Sequence, residues 1–161
     1  MAQLDYFTAG ESHGPAGLVT VLNMPAGVPV DEDFINAELA RRQGGYGRGG
    51  RQRIETDRIQ ILTGVRLGKT IGAPVTFMVP NKDSRLEDLE RTPPLHRPRP
   101  GHADLPGSLK WLTTDCRETL ERASARETAA RVAGGALARC FLRELGIETF
   151  GIVRQIGSAA A

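Results

Sequence analysis

The sequence predicts an α+β fold. Short β-branched apolar runs at residues 18–22 and 75–79 read as buried strands. Two stretches with helical spacing, residues 31–42 and 113–145, stand apart from these runs and do not alternate with them one for one. No Gly-x-Gly-x-x-Gly fingerprint occurs, and no Gly-rich loop ends in Gly-Lys-Ser/Thr, so neither a dinucleotide-type winding nor a P-loop is indicated.

The elements follow in order. Residues 8–15 (Thr-Ala-Gly-Glu-Ser-His-Gly-Pro) form a turn-rich loop before the first strand, residues 18–22. Residues 25–29, bounded by Pro25 and Pro29, give a second turn. Residues 31–42 read as a helix, acidic in its first turn and basic in its last, which suits the helix dipole. Phe34, Ile35 and Leu39 supply its apolar face, and Gly44 and Gly45 end it. Residues 59–62 and 65–67 are expected to pair as strands around Thr63 and Gly64, with residues 75–79 as a further buried strand. Residues 81–106 contain five prolines and predict a long irregular segment, a length usually tied to function or mobility. Residues 113–145 predict the longest helix, with Asp115 as its cap, Glu118 reaching back, and Gly146 as its stop. Gly134 and Gly135 interrupt it, marking either close packing of another backbone or a kink. Residues 147–156 return to a strand pattern.

The 161 residues suit one domain with a real core, and 40% hydrophobic with 25% charged content is that of a soluble globular protein. No apolar run approaches the ~20 residues of a membrane span. Residues 1–5 lack a charged lead and an apolar signal core, so a cytoplasmic location is expected. Cys116 and Cys140 have no metal or redox spacing and read as reduced, buried thiols. The net charge of +2 is a small excess for a nucleic-acid-binding domain, but it is unevenly spread. Residues 1–40 hold no Lys or Arg, and the 18 arginines that follow outnumber the lysines Lys69, Lys82 and Lys110.

That charge concentrates in residues 41–55, where five arginines and five glycines fall within the thirteen residues 41–53. Arginine grips phosphate or carboxylate with two parallel bonds, and glycine lets a backbone approach a ligand closely. Three readings are open on this segment alone: a loop that receives a compact polyanion, an Arg-Gly tract that binds RNA, or a solvated loop. His13 lies in Gly10-Glu-Ser-His-Gly14 and His102 in Arg99-Pro-Gly-His-Ala-Asp104. Either histidine alone reads as one that hydrogen-bonds its own turn. The two together, in glycine-bounded loops near arginines, favour acid–base work. His96 reads as a surface side chain. The spacings match no metal site, and Ser12 beside His13 does not make a nucleophile elbow.

The third group is residues 120–131, in which Arg122 and Arg126 share a face if the helix is continuous. Glu118, Glu121 and Glu127 pair with these arginines in the simplest reading, a solvated helix surface. Ala123, Ser124 and Ala125 form a small-residue patch that a flat ring could approach. With the arginines, the patch resembles a site for a phosphate plus a planar group such as flavin mononucleotide (FMN).

Four motifs in order resemble the chorismate synthase family: Gly10-Glu-Ser-His-Gly-Pro15, Arg41 to Arg51 with Ile54-Glu-x-Asp57, Arg97-Pro-Arg-Pro-Gly-His-Ala-Asp-Leu105, and Glu121 to Ala133. The resemblance covers essentially the whole chain but only the N-terminal portion of the family. It implies that residues 1–161 are part of a single catalytic domain whose other half adds an Asp near the flavin and more substrate-binding arginine. It further implies a β-α-β sandwich, usually a homotetramer. The implied enzyme is a lyase that makes chorismate from 5-enolpyruvylshikimate 3-phosphate, losing phosphate by anti-1,4-elimination with reduced FMN. By the same resemblance, His13 is the general acid for the departing phosphate and His102 sits near the flavin's N1. Arg42, Arg48, Arg51, Arg99 and Arg126 bind the substrate's anionic groups. Arg42 and Arg48 contact NADP(H) in members that reduce their own flavin, and Arg122, Ala123 and Ser124 bind FMN. Pro106 before Gly107 departs from the small residue expected there.

Overall fold

The computed structural model describes residues 3–44 and 49–161. Its centre is an antiparallel four-stranded sheet formed by β1 (Asp5–Ala9), β2 (Ala16–Leu22), β3 (Gln60–Thr63) and β6 (Val75–Pro80), in the order β1-β2-β6-β3. Between β3 and β6 lie β4 (Val65–Arg66) and β5 (Lys69–Thr70), which pair with each other, and Lys69 also bridges Pro29. Helix α1 (Glu32–Gln43) follows β2, and α2 (Asp104–Trp111), α3 (Arg117–Arg122) and α4 (Glu127–Glu144) follow β6. A short hairpin of β7 (Gln155–Ile156) and β8 (Ala159–Ala160) comes last. An antiparallel sheet with its helices not alternating strand for strand is an α+β arrangement.

The core follows from strand alternation. Register pairs Val19 with Phe77 and Val21 with Val75, so these four point to one face, and all are buried. Helix α4 lies on that face with Ala129, Ala130, Ala133, Ala136, Leu137 and Cys140, and α1 adds Ile35 and Leu39. Each fully buried aliphatic side chain contributes about 1.5–3 kcal/mol. The small residues of α4 set the distance. A Cβ on Gly134 would lie 2.8 Å from Val19 Cγ2, whereas one on Gly135 would meet open space. Gly134 therefore serves close packing, and the helix continues through both glycines. The opposite sheet face carries Phe7, Thr20, Thr76 and Met78, half-buried or exposed.

Helix α1 begins as its sequence predicts, with Asp31 Oδ1 accepting from Phe34 N at 2.9 Å. Gly146, at φ +69°, follows the end of α4. Both cysteines are free and buried.

Several expectations are corrected. Residues 59–62 and 65–67 do not pair: β3 joins β6, with a register shift between Ile61 and Thr63, and β4 turns through Leu67 and Gly68 onto β5. A two-residue hairpin turn needs positive φ at both central residues (type I′) or at the first (type II′). Leu67 (φ +50°) and Gly68 (φ +72°) provide that, whereas of Thr63 and Gly64 only the glycine does. The irregular segment after β6 stops at residue 103, where α2 begins. Pro106 is tolerated there because it falls in the first helical turn. The long helix of residues 113–145 is two helices. Ser124 Oγ accepts from Arg126 N at 3.3 Å, a local bond that competes with helical pairing. Asp115 Oδ1 does accept from Arg117 N at 2.8 Å, but it is shared with Leu95 N at 2.8 Å. Residues 147–154 form no strand, and only the two-residue β7 follows. Strand β1 had no sequence signal, because it is an edge strand with little burial on either face.

Candidate active site

The loop between β1 and β2 carries Ser12 and His13, and α3 presents Glu121 to both. Glu121 is 1% exposed, although its sequence reads as a solvated helix position. Its Oε2 accepts from Ser12 Oγ at 2.5 Å and from the His13 backbone N–H at 3.0 Å. The His13 ring places Nδ1 2.8 Å from Oε2 and 3.0 Å from Oε1. Arg117, one helical turn earlier, stands 3.5 Å from Oε1. Burial alone would push the Glu121 carboxyl up, but the bonds from Ser12 and His13 outweigh it and hold it below the usual carboxylate range. An ionised carboxylate only accepts, so His13 Nδ1 carries a proton. Ser12 Oγ also lies 3.3 Å from His13 Nδ1, but its proton points to Glu121.

The other ring nitrogen faces charge of both signs. His13 Nε2 is 3.2 Å from an Arg85 terminal nitrogen and 3.5 Å from Asp83 Oδ2. The backbone N–H groups of Arg85 and Leu86 donate to the His13 carbonyl at 2.8 and 3.0 Å, which fixes this loop against the segment after β6.

The Arg-Gly segment reaches the same place through Arg51. Its guanidinium donates to the Ser12 carbonyl and to Glu55 Oε1, the latter at 3.2 Å. Glu55 also accepts from Lys82 N at 2.9 Å and Asp83 N at 3.3 Å. Burial would raise its carboxyl, and these donors with Arg126 and Arg51 lower it. Arg48 lies outside the described residues. Arg42 stands 3.4 Å from Asp57 Oδ2 and is 11% exposed. Arg126 donates to Asp57 Oδ1 at 2.6 Å, Asn81 Oδ1 at 2.7 Å and the Pro80 carbonyl at 3.2 Å. Asn81 in turn donates to the Glu11 and Gly14 carbonyls at 3.1 and 2.8 Å. Arg126 thus braces the loop that carries His13 through Asn81, and Arg42 shares Asp57 with it. The guanidinium of Arg126 is engaged with these protein groups.

Two expected residues meet around Asp104, with Arg99 within electrostatic reach of Glu121. Arg99 grips Asp104 with two parallel bonds of 2.8 and 2.9 Å. The Arg99 hydrogen bonds pull the Asp104 carboxyl down to about 2. His102 is exposed, with Nδ1 3.0 Å from the Pro100 carbonyl. A carbonyl only accepts, so Nδ1 again holds the proton and Nε2 is left as an acceptor.

Arg122 donates to Glu127 and to the Thr8 carbonyl and hydroxyl, the latter two at 2.9 and 3.0 Å. With Arg126 on the far side of the helix break, the two arginines do not share a face. Arg122 and Ala123 line a cleft of about 930 Å³, with Leu86, Leu89, Pro94 and Trp111 as apolar wall and Arg117 and Arg131 as further cations. That size suits a small-molecule ligand. Among the described residues, no three His, Cys, Asp or Glu side chains are placed to hold a metal ion, and no helix is long and apolar enough to cross a membrane.

Sequence reasoning missed Glu121, Asp83 and Arg85. Each meets His13 across 70 or more positions of chain, which local spacing does not register.

Comparison with known proteins identifies the family. A family model described as chorismate synthase matches residues 4–161. A chorismate synthase of Chlorobium phaeobacteroides is 55% identical over 163 residues, covering 96% of this chain and 41% of the relative. One from Thermoanaerobacter pseudethanolicus is 53% identical over 156 residues, covering 97% and 45%. A solved crystal structure of chorismate synthase superposes with a TM-score of 0.69 at 42% identity, over 90% of this chain and 35% of that one. The chain spans less than half the length of these curated relatives. By the family model over residues 4–161 and the fold it shares with a solved member, the chain belongs to the chorismate synthase family.

Proposed function

We propose that this chain forms the N-terminal portion of a chorismate synthase catalytic domain. The reaction is the loss of phosphate from 5-enolpyruvylshikimate 3-phosphate by anti-1,4-elimination, giving chorismate, and His13 protonates the departing phosphate. The observation that carries this reading is the 2.8 Å contact of His13 Nδ1 with the buried Glu121 carboxylate. A histidine held in that way keeps its second nitrogen as the one that exchanges protons.

The residues present fit FMN for its ring: Ala123 is small, and the cleft it lines has an apolar wall. They fit the phosphate through Arg122, which would exchange its bond to Glu127 for one to the ligand. Reduced FMN, when bound, supplies electron density to the substrate with no net redox change. Arg122 would orient the cofactor's anionic end, and the family resemblance assigns His102 to the flavin's N1 side. Arg51 and Arg85 stand beside His13 and attract the anionic substrate, and they stabilise charge that grows on the leaving phosphate. Arg126 holds the His13 loop from behind through Asn81, and Arg42 shares Asp57 with it. NADPH as the reductant, a homotetrameric assembly and a cytoplasmic location complete the reading.

The test is direct. The protein, supplied anaerobically with reduced FMN and 5-enolpyruvylshikimate 3-phosphate, is expected to release chorismate and phosphate in equal amounts. A folded, flavin-loaded protein that releases neither would overturn the proposal.

A further inference from the structure

We propose that Glu121 is the positioning residue of His13, and that its carboxylate fixes the ring with the proton on Nδ1 and makes Nε2 the nitrogen that hands a proton on. The inference rests on the reading of His13 as general acid.

Four observations support it. Glu121 is among the most buried charged groups of the described residues, yet it belongs to the six-residue helix α3, whose other side chains are half-buried or exposed. A buried carboxylate is expensive unless fully bonded. Here it receives Ser12 Oγ, the His13 backbone N–H and the His13 ring, so two of its three close donors belong to the histidine itself. Holding both the backbone and the ring of one residue fixes the side-chain rotamer as well as the tautomer. Finally, Ser12 N donates to the Glu121 carbonyl at 3.0 Å, so the loop and the helix are joined at main chain and side chain alike. A carboxylate kept for stability alone would not need to hold the ring.

The charged groups around the ring give the proton path. Glu121, paired with Arg117, occupies the Nδ1 side, and Asp83 and Arg85 occupy the Nε2 side. In the charged ring both nitrogens carry protons. On transfer, the Nε2–H bond breaks and an O–H bond forms on the departing phosphate. The Nδ1 proton stays in its bond to Glu121, and the ring is left neutral. Arg85 can then donate to the vacated Nε2, as it does at 3.2 Å in the structure.

The experiment has two arms. In the unaltered protein, ¹⁵N NMR of the His13 ring should show Nδ1 protonated in the neutral form, and a neutral ring protonated on Nε2 would overturn the proposal. In Glu121→Gln, the alkaline limb of the pH–rate profile should move to lower pH by about 1–3 units with KM unchanged, because a negative neighbour has been removed. A limb that stays in place, with a folded variant, would also overturn it. The first arm needs no variant, so a Glu121→Gln protein that fails to fold leaves the test intact. If His13→Ala turns over normally while the tautomer is as expected, the failure belongs to the general-acid reading and not to the positioning.

Discussion

The guanidinium of Arg126 donates to Asp57 Oδ1 at 2.6 Å, and neither side chain is more than 8% exposed. This pair joins the helix break before α4 to the end of the Arg-Gly segment, and through Asn81 it reaches the loop that carries His13. Removing one partner of a buried ion pair leaves the other unpaired and costs about 3–5 kcal/mol. Arg126→Ala should therefore lower unfolding stability by about that amount in urea titration. Arg126→Lys should recover only part of it, since a single ammonium cannot serve Asp57, Asn81 and Pro80 together.

The two glycines of α4 should respond in opposite directions. Gly135→Ala meets open space and should stabilise by about 0.5–1 kcal/mol through helix propensity. Gly134→Ala gains the same propensity but drives a methyl to 2.8 Å from Val19 Cγ2, a short side chain in the core. Overpacking costs about 1–3 kcal/mol, so the net effect should be destabilising. Thermal unfolding of the two variants side by side checks the sign of each.

The Asp104 carboxyl, drawn from the usual 3.8 to about 2 by Arg99, gives a pH-dependent contribution. A depressed folded pKa means stability that is fully present above the unfolded value and lost as pH falls through the folded one. Stability should decline from about pH 4 toward pH 2. Asp104→Asn should flatten that part of the curve in acid-unfolding measurements and lower stability at neutral pH.

Arg122→Ala should weaken flavin binding by about 10–100-fold, the loss of a hydrogen bond to a charged group. Glu127→Gln should tighten it, because Arg122 then gives up no carboxylate partner. A flavin fluorescence titration reads both.

Much of the fold was legible because its signals are local. The β-branched runs of β2 and β6, the Asp31 cap and Gly146 are each set by neighbours a few residues away. The break at residues 123–126 was not legible, since Ala, Ser and Arg all tolerate a helix. What divides it is Arg126 reaching Asp57, 69 positions earlier, together with the local bond to Ser124. The site divides the same way. His13 and the arginines stand out as residue types in glycine-rich loops. Glu121, which touches His13, looks from sequence like any glutamate four positions from an arginine. The same limit explains the Arg-Gly segment: Arg42 turns toward Asp57, a carboxylate that spacing alone does not reveal.

The central claim is that His13 supplies the proton for phosphate departure. The measurement is turnover of 5-enolpyruvylshikimate 3-phosphate by His13→Ala, with reduced FMN saturating and flavin binding verified. Loss of a positioned general acid predicts a rate lower by about 10²–10⁴. A rate equal to that of the unaltered protein would contradict the account.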